Sequence, residues 1–475
     1  MLFHSIPFFS FLFLVVLLAP RVSPASRWGF LLGASWLFYA WHSVAALGFL
    51  AFVILFSYRI AITIESSESN TAKAAFLWFA IATMVTLIGV AKYFLEDVFP
   101  GFIVPLGLSF YSFQASGYLI DVYRSQQKAE THLGRYALFV SFFPTVLSGP
   151  IERANSLLPQ LKKPVEVSSA SVTSNSLLFY SGLFKKLVVA DALAKFVAPV
   201  FANPDHFGGP TLFLAVAIAR YMIFADFSGY ADMAVASAGL IGVRVRQNFN
   251  RPFFATSLID YWRRWHISLH DWMKDYVFFS LSTSAAGRTF GIYFCLIVSF
   301  LFMGIWHDVG WTFLAVGLWH GVFISLDYFT RDSRDRFEKQ IGLATFPVLQ
   351  RLLRIAVTLV FFVLPPTVFF LSKSMADAQK IFSRIFGGEW GFNQFSMTLK
   401  NLAGPQQGSY QLLVQTLVFV LIIEALHILQ SRKAIRERIQ SLPQPLRLGI
   451  YVLLFIVLVV FAQPFGERTY VYFQF

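Results

Sequence analysis

The chain predicts an all-α polytopic membrane protein, and three observations carry that prediction. Of 475 residues, 57% are hydrophobic and only 13% charged, against about 25% charged in soluble domains. Mean hydropathy is +0.62. Apolar stretches recur along the whole length, separated by short loops in which basic residues are scattered. The net charge of +13 therefore follows the loop bias of a bacterial inner-membrane protein rather than the clustered patch of a nucleic-acid binder. Fifty-six Phe, 11 Trp and 18 Tyr suit lipid-facing surfaces and interfacial aromatic belts. Cys295, alone in the chain, forms no intrachain disulfide and reads as a packed thiol.

At the N-terminus, Phe8–Leu18 has the apolar core of a signal peptide. No basic residue precedes it and no clean small-residue cleavage site follows, so it reads as a retained first helix. Spanning helices need about 20 apolar residues. The candidates are Ile6–Leu18, Trp28–Trp41, Ala45–Ile64, Ala74–Phe94, Tyr136–Leu147, Asn175–Val200, Thr211–Phe227, Phe290–Ile305, Trp311–Tyr328, Leu352–Leu371, Leu412–Ile428 and Leu448–Ala462. Several are short, so 10–12 crossings are expected. No internal repeat is visible, which argues against a transporter built from inverted halves. The soluble-looking stretches are brief (Glu152–Ser174, Arg331–Thr345, Ser372–Gln407, Ser431–Pro445), and residues 1–475 read as one integral-membrane domain.

Two regions fit neither loop nor span. In Phe102–Arg124, Pro105, Gly107 and Gly117 interrupt an aromatic run. In Asn248–Ser282, the stretch Asp260–Asp275 holds Asp260, Arg263, Arg264, Asp271, Lys274 and Asp275, which excludes a lipid-exposed crossing. Its aromatic spacing predicts a helix with Trp262, Trp265, Leu269, Trp272 and Tyr276 on one face. Arg263, His266 and His270 fall on a neighbouring polar stripe. Such a helix lies at the interface or re-enters the protein around a wet cavity, where His266 is open to substrate.

Ionisable side chains that persist within membrane sequence usually carry function, and imidazole is suited to proton transfer near neutral pH. That singles out His266 and His307, the latter ending an uncharged run and followed by Asp308 and Gly310. The plainer alternatives are an interfacial polar face for His266 and a hydrogen-bonded bundle histidine for His307. His266 and His270 stand four residues apart, but position 267 is Ile and no Cys or carboxylate cluster completes a ligand set, so no metal site is expected. No serine sits in G-x-S-x-G, and Gly287–Gly291 lacks the ending of a phosphate loop. His320 falls about 140° from His307 if one helix joins them, which favours packing for it.

These pieces resemble, in order and spacing, the membrane-bound O-acyltransferase family in its bacterial branch. The matching residues are Met1-Leu-Phe3, Ser35–Trp41, Pro105–Gln114 with Tyr118–Arg124, and Phe143-Pro144 with Ser148–Ile151. Gly182–Lys186 with Ala190-Asp191, Asp226–Tyr230, Gln247–Tyr276, Gly304–Gly321 and Tyr470–Phe475 complete the set, which is densest over 105–328. The resemblance implies a ring of transmembrane helices around a central tunnel, where a cytosolic thioester meets an acceptor from the far side. It implies His307 as the family's histidine and His266 as its second polar position. It also implies an acyl-CoA (acetyl-CoA) or acyl-carrier thioester as donor substrate, with no tightly bound cofactor. An exported polysaccharide is the implied final acceptor, reached through a periplasmic or membrane-anchored acetyltransferase partner, in contact with membrane lipid. Asp308 and His270 depart from the usual Gly and Ser/Thr, which touches substrate and rate more than reaction class. Arg263 and Arg264 suit the donor's phosphates, although solvated interfacial arginine is the plainer reading. The alternatives are D-alanyl transfer to a wall polymer and, in a different class, a proton-coupled transporter using the same histidines.

Overall fold

A computed structural model describes residues 1–99, 104–163 and 167–388, with isolated positions between 414 and 456. Among the described residues the secondary structure is helical, apart from one antiparallel bridge between Phe249 and Trp265. Six helices among the described residues are long and apolar enough to cross a membrane. They are Val44–Ser66, Asn70–Tyr93, Gly209–Leu240, Ala285–His307, Trp311–Gln340 and the bent Pro347–Leu371. Each grows from a candidate apolar stretch and extends beyond it, because polar caps and charged last turns continue helical hydrogen bonding past the hydrocarbon-compatible core. Ser43, Ser69 and Ser284, for example, accept from backbone N–H groups in the first turns that they cap.

Four expected spans are short or broken. Ile6–Leu18 and Arg27–Ala40 are helices of 13 and 14 residues. The stretch Tyr136–Leu147 is not a span: its helix, Leu133–Ser141, has nine residues and stops before Pro144. At about 1.5 Å per residue it is too short for a hydrocarbon core of about 30 Å. Asn175–Val200 divides into Ser169–Leu183, a wider π-helical turn at Phe184–Ala190, and Asp191–Ala202. Leu412–Ile428, Leu448–Ala462 and the Tyr470–Phe475 ending lie wholly or largely outside the described residues.

The chain forms two compact units, Met1–Leu183 with Tyr230–Gln247, and Phe184–Gly229 with Asn248 onward. In the first, the aromatic-rich helix Leu108–Tyr123 is buried along nearly its whole length. Its amide side chain Gln114 Nε2 donates to the Phe139 carbonyl at 2.5 Å, and Gln114 Oε1 accepts from Glu152 N at 3.4 Å. Gly107 begins that helix with φ +79, and a Cβ there would strike the Val146 and Leu147 backbone, so only glycine fits. Phe3, Phe8, Phe38 and Phe143 form a fully buried cluster, with Phe3 stacked on Tyr230 at 4.7 Å.

Glu152, 1% exposed, accepts from Arg246 N at 2.6 Å through Oε1. Burial pushes its carboxyl up to about 6, opposed by that hydrogen bond and by the charges of Arg246 and Arg153. The folded state thus holds the proton more tightly than the unfolded chain. The stabilisation is complete below the unfolded value of 4.5 and is lost as pH rises through about 6.

In the second unit, Ala285–His307 and Trp311–Gln340 form an antiparallel helix pair whose backbones meet at glycines. A Cβ on Gly317 would lie 2.6 Å from the Phe300 carbonyl oxygen and 3.0 Å from Leu301 Cα. Asp308 to Gly310 therefore carries the turn, with His307 the last helical residue before it. This replaces the continuous helix on which the His307–His320 angle rested.

Two stability measurements follow. Gly317→Ala should lower the unfolding midpoint in detergent, at a cost of about 1–3 kcal/mol. Gly310→Ala, whose new Cβ would find nothing closer than 3.9 Å, should leave it unchanged; equal effects would remove the close-approach argument. For Glu152→Gln, the stability difference from the unsubstituted chain should change by about 2 kcal/mol as pH falls from above 6 to below 4.5. A pH-independent difference would show that Glu152 does not take up the proton on folding.

Candidate active site

The expected helix over Asp260–Asp275 is interrupted. Leu258–Trp262 is one short helix, Ile267–Trp272 another, and Met273–Phe278 a π-helical turn. The aromatic spacing nevertheless reflects burial, since Trp262, Trp265, Leu269, Trp272 and Tyr276 are all in the core. Ser257 caps the first piece by accepting from Asp260 N at 3.1 Å. Asp327, on the Trp311–Gln340 helix, accepts from Ile259 N at 3.1 Å and pairs with Arg334 at 2.8 Å.

The interruption falls at His266, which has φ 44 and ψ 54, in the left-handed region. For a residue with a Cβ that conformation costs about 1–2 kcal/mol. Three hydrogen bonds oppose the cost: Asn250 N to the Arg264 carbonyl at 2.9 Å, Ile267 N to the Asn248 carbonyl at 2.9 Å, and Ser268 N to Asn248 Oδ1 at 3.3 Å. At about 0.5–1.5 kcal/mol each they outweigh it. His266 is 1% exposed, and its ring meets the face of Phe227 edge-on at 4.6 Å. The expectation that it stands open to substrate is therefore not met in this conformation. Burial, reinforced by the charge His307 would carry, holds the His266 imidazole well below its ordinary proton affinity. It is neutral near pH 7, so one of its two ring nitrogens carries a hydrogen.

His307 is partly exposed, flanked by Trp306 at 4.5 Å, Phe370 at 5.5 Å and Phe313 at 6.3 Å. It is within electrostatic reach of both His266 and His320. The fold thus brings together two histidines 41 positions apart in sequence. His320 is 3% exposed and packs against Trp262 at 4.9 Å and Phe300 at 6.0 Å. Asp308 Oδ1 accepts from Val309 N at 2.9 Å.

The two arginines differ. Arg264 is bound through Nε to Asp260 at 2.7 Å, whereas exposed Arg263 makes no ion pair among the described residues. Arg263 lines a cavity of about 230 Å³ together with Trp262, His270, Lys274 and apolar residues of the Ala285–His307 helix. Among the described residues no group of three or more His, Cys, Asp or Glu is arranged to hold a metal. Since His266 sits at the cap before the helix that carries His270, the two do not share the helical face that their spacing suggested.

Sequence reasoning gave no structural role to two polar features. Arg220, 8% exposed, stacks 4.0 Å from the Trp265 ring centre and hydrogen-bonds Tyr261 OH, clamping the segment that presents His266. Desolvated cation–π contacts of this kind contribute about 2 kcal/mol. A lone arginine within the apolar run Thr211–Phe227 was the available signal. Lys186 is buried against Asp226 at 2.7 Å and Asp191 at 3.3 Å. Here the signal was a pair of lysines inside an otherwise apolar stretch.

The long apolar helices, the polar segment folded among them and the paired histidines define a multi-pass membrane enzyme. A profile of the membrane-bound O-acyltransferase family matches residues 32–373, and the chain belongs to that family. It is an O-acyltransferase, which removes the transporter alternative. It is 32% identical over 435 residues to a probable alginate O-acetylase of Azotobacter vinelandii, covering 87% of this chain and 83% of that one. It is 30% identical to a peptidoglycan O-acetyltransferase of Helicobacter pylori, covering 74% and 72%. A teichoic acid D-alanyltransferase of Streptococcus thermophilus is 28% identical, covering 51% and 62%.

The backbone argument at His266 has a direct test. His266→Gly and His266→Ala both remove the ring, but only Ala retains the left-handed penalty. His266→Ala should be less stable than His266→Gly by about 1–2 kcal/mol in chemical unfolding. The reverse order would show that the left-handed conformation is not maintained.

Proposed function

We propose that the protein moves an acyl group, acetyl in the simplest case, from a cytosolic thioester across the bacterial inner membrane for O-acetylation of an exported polysaccharide. Residues 1–475 act as one catalytic domain in this reading, and the family match runs through most of them. The supporting observation is the pair formed by partly exposed His307 and buried, neutral His266, within electrostatic reach of each other. A hydroxyl oxygen attacks the thioester carbonyl carbon while His307 takes the hydroxyl proton. The carbonyl oxygen becomes an oxyanion that accepts from the His266 ring N–H. Collapse expels the thiolate, and His307 returns the proton to sulfur. General-base catalysis contributes about 10²–10⁴ in rate, and loss of one oxyanion donor costs about 10²–10³.

Acetyl is favoured over D-alanyl because the relatives matched over most of the chain are named as O-acetyl-transferring enzymes, whereas the D-alanyltransferase match covers about half. Acetyl-CoA or an acyl-carrier thioester supplies the group. A periplasmic or membrane-anchored partner completes delivery to the glycan.

The experiment compares acetate content of the host's exported polysaccharide, by NMR, in a deletion strain complemented with wild type or His307→Ala at matched membrane levels. Wild type should restore acetate and His307→Ala should not, a loss of at least about 10² in transfer. Restoration by the variant would remove His307 as base. Acetate unchanged by deletion would remove the acetylation reading for that polymer.

A further inference from the structure

The cavity of about 230 Å³ beside Arg263 is separate from the two histidines: neither His266 nor His307 lines it. Its wall is mostly hydrocarbon and aromatic, with Ile292, Leu296 and Phe300 in one stripe along the Ala285–His307 helix. Polar side chains interrupt that wall, among them Trp262, Arg263, Lys274, His270 and Ser299. Trp262 is 6% exposed, and its indole N–H has no acceptor among the described residues. Buried Trp N–H groups ordinarily find a partner, and an orphaned donor is costly. Arg263 and Lys274 supply exposed positive charge. Lys274 is partly neutralised by Asp271 at 3.4 Å and Asp275 at 3.8 Å, whereas Arg263 has no acidic partner among the described residues.

We propose that this cavity is a binding site for an anionic phospholipid. The lipid phosphate pairs with Arg263, an ester carbonyl accepts from Trp262 Nε1–H, and a section of one acyl chain lies along Ile292, Leu296 and Phe300. The volume is right for a section of chain, since an apolar cavity of about 150 Å³ already holds benzene. The phosphate at Arg263 thus comes from a lipid rather than from the thioester donor. A coenzyme A nucleotide is polar throughout and would leave its own groups unsatisfied against such a wall. The helix that forms the stripe is among those long and apolar enough to span, and it exposes Phe290, Ile292 and Tyr293, so lipid reaches the cavity directly from the bilayer. An anionic lipid held there bears on the segment that carries His266, because Trp262 and Arg263 belong to it.

The test is native mass spectrometry of the full chain in nonionic detergent, with dioleoyl phosphatidylglycerol and dioleoyl phosphatidylcholine titrated at matched concentrations. Phosphatidylglycerol should be retained about fivefold more than phosphatidylcholine, the scale of one engaged basic residue. Arg263→Gln should abolish that preference and Arg263→Lys should keep most of it. Trp262→Phe, which keeps the ring but loses the N–H, should weaken both lipids, as should Leu296→Trp by filling the cavity. Equal retention of the two lipids by the unsubstituted chain would overturn the proposal without recourse to any variant. So would displacement of phosphatidylglycerol by an equal concentration of coenzyme A, which would return the cavity to the thioester donor. Either result leaves the acetylation reading intact, because that reading is judged on glycan acetate.

Discussion

Between Asn248–Asn250 and Arg264–Ser268 three hydrogen bonds tie a non-helical stretch to the break between two short helices. In an apolar surrounding, backbone N–H and C=O groups released from a helix must find partners, because water is not there to supply them. Asn248 does this twice, through its carbonyl and its side chain, for the two residues that follow His266. The pairing makes the left-handed turn at His266 tolerable, and that turn fixes where the imidazole points. Without it the aromatic periodicity would extend the helix through position 266 and carry the ring elsewhere.

A second constraint is electrostatic. Unit two buries Lys186, Asp226 and Arg220, and each is matched within the unit. Burying an ion pair is close to neutral in free energy, while leaving one partner alone costs several kcal/mol. These groups therefore specify an arrangement more than they add stability. Arg220 acts on the histidine segment through Trp265 and Tyr261, while the glycine-lined contact between Ala285–His307 and Trp311–Gln340 fixes the turn at which His307 stands. The placement of the two candidate histidines thus rests on three unlike forces, namely backbone hydrogen bonding, cation–aromatic stacking and backbone-to-backbone contact.

The sequence by itself determined the class of protein. Long uncharged runs such as Phe290–Ile305 can only be helices in hydrocarbon, and a stretch with six formal charges cannot be one of the lipid-facing spans. Both statements depend on transfer free energies of side chains, which are local properties. The candidate residues His266, His307, Arg263 and Arg264 were legible for the same reason, as polar groups out of place in an apolar text. The order of motifs indicated the family, which the match over residues 32–373 established.

Tertiary structure decided how those residues are used. The same 3.6-residue periodicity that buries Trp262, Trp265 and Trp272 is equally compatible with one helix or two, and only pairing with Asn248 and Asn250, distant from His270 in sequence, selects two. Tyr136–Leu147 does not cross because its helix ends at Ser141, and the backbone of Val146 and Leu147 that follows packs against Gly107, a contact with no signature in hydropathy. Arg263 and Arg264 are adjacent and chemically alike, yet one is paired with Asp260 and the other faces a cavity. Local propensity assigns residues to elements and environments; which partners they meet is set by contacts between positions far apart in the chain, and those contacts exist only once it has folded.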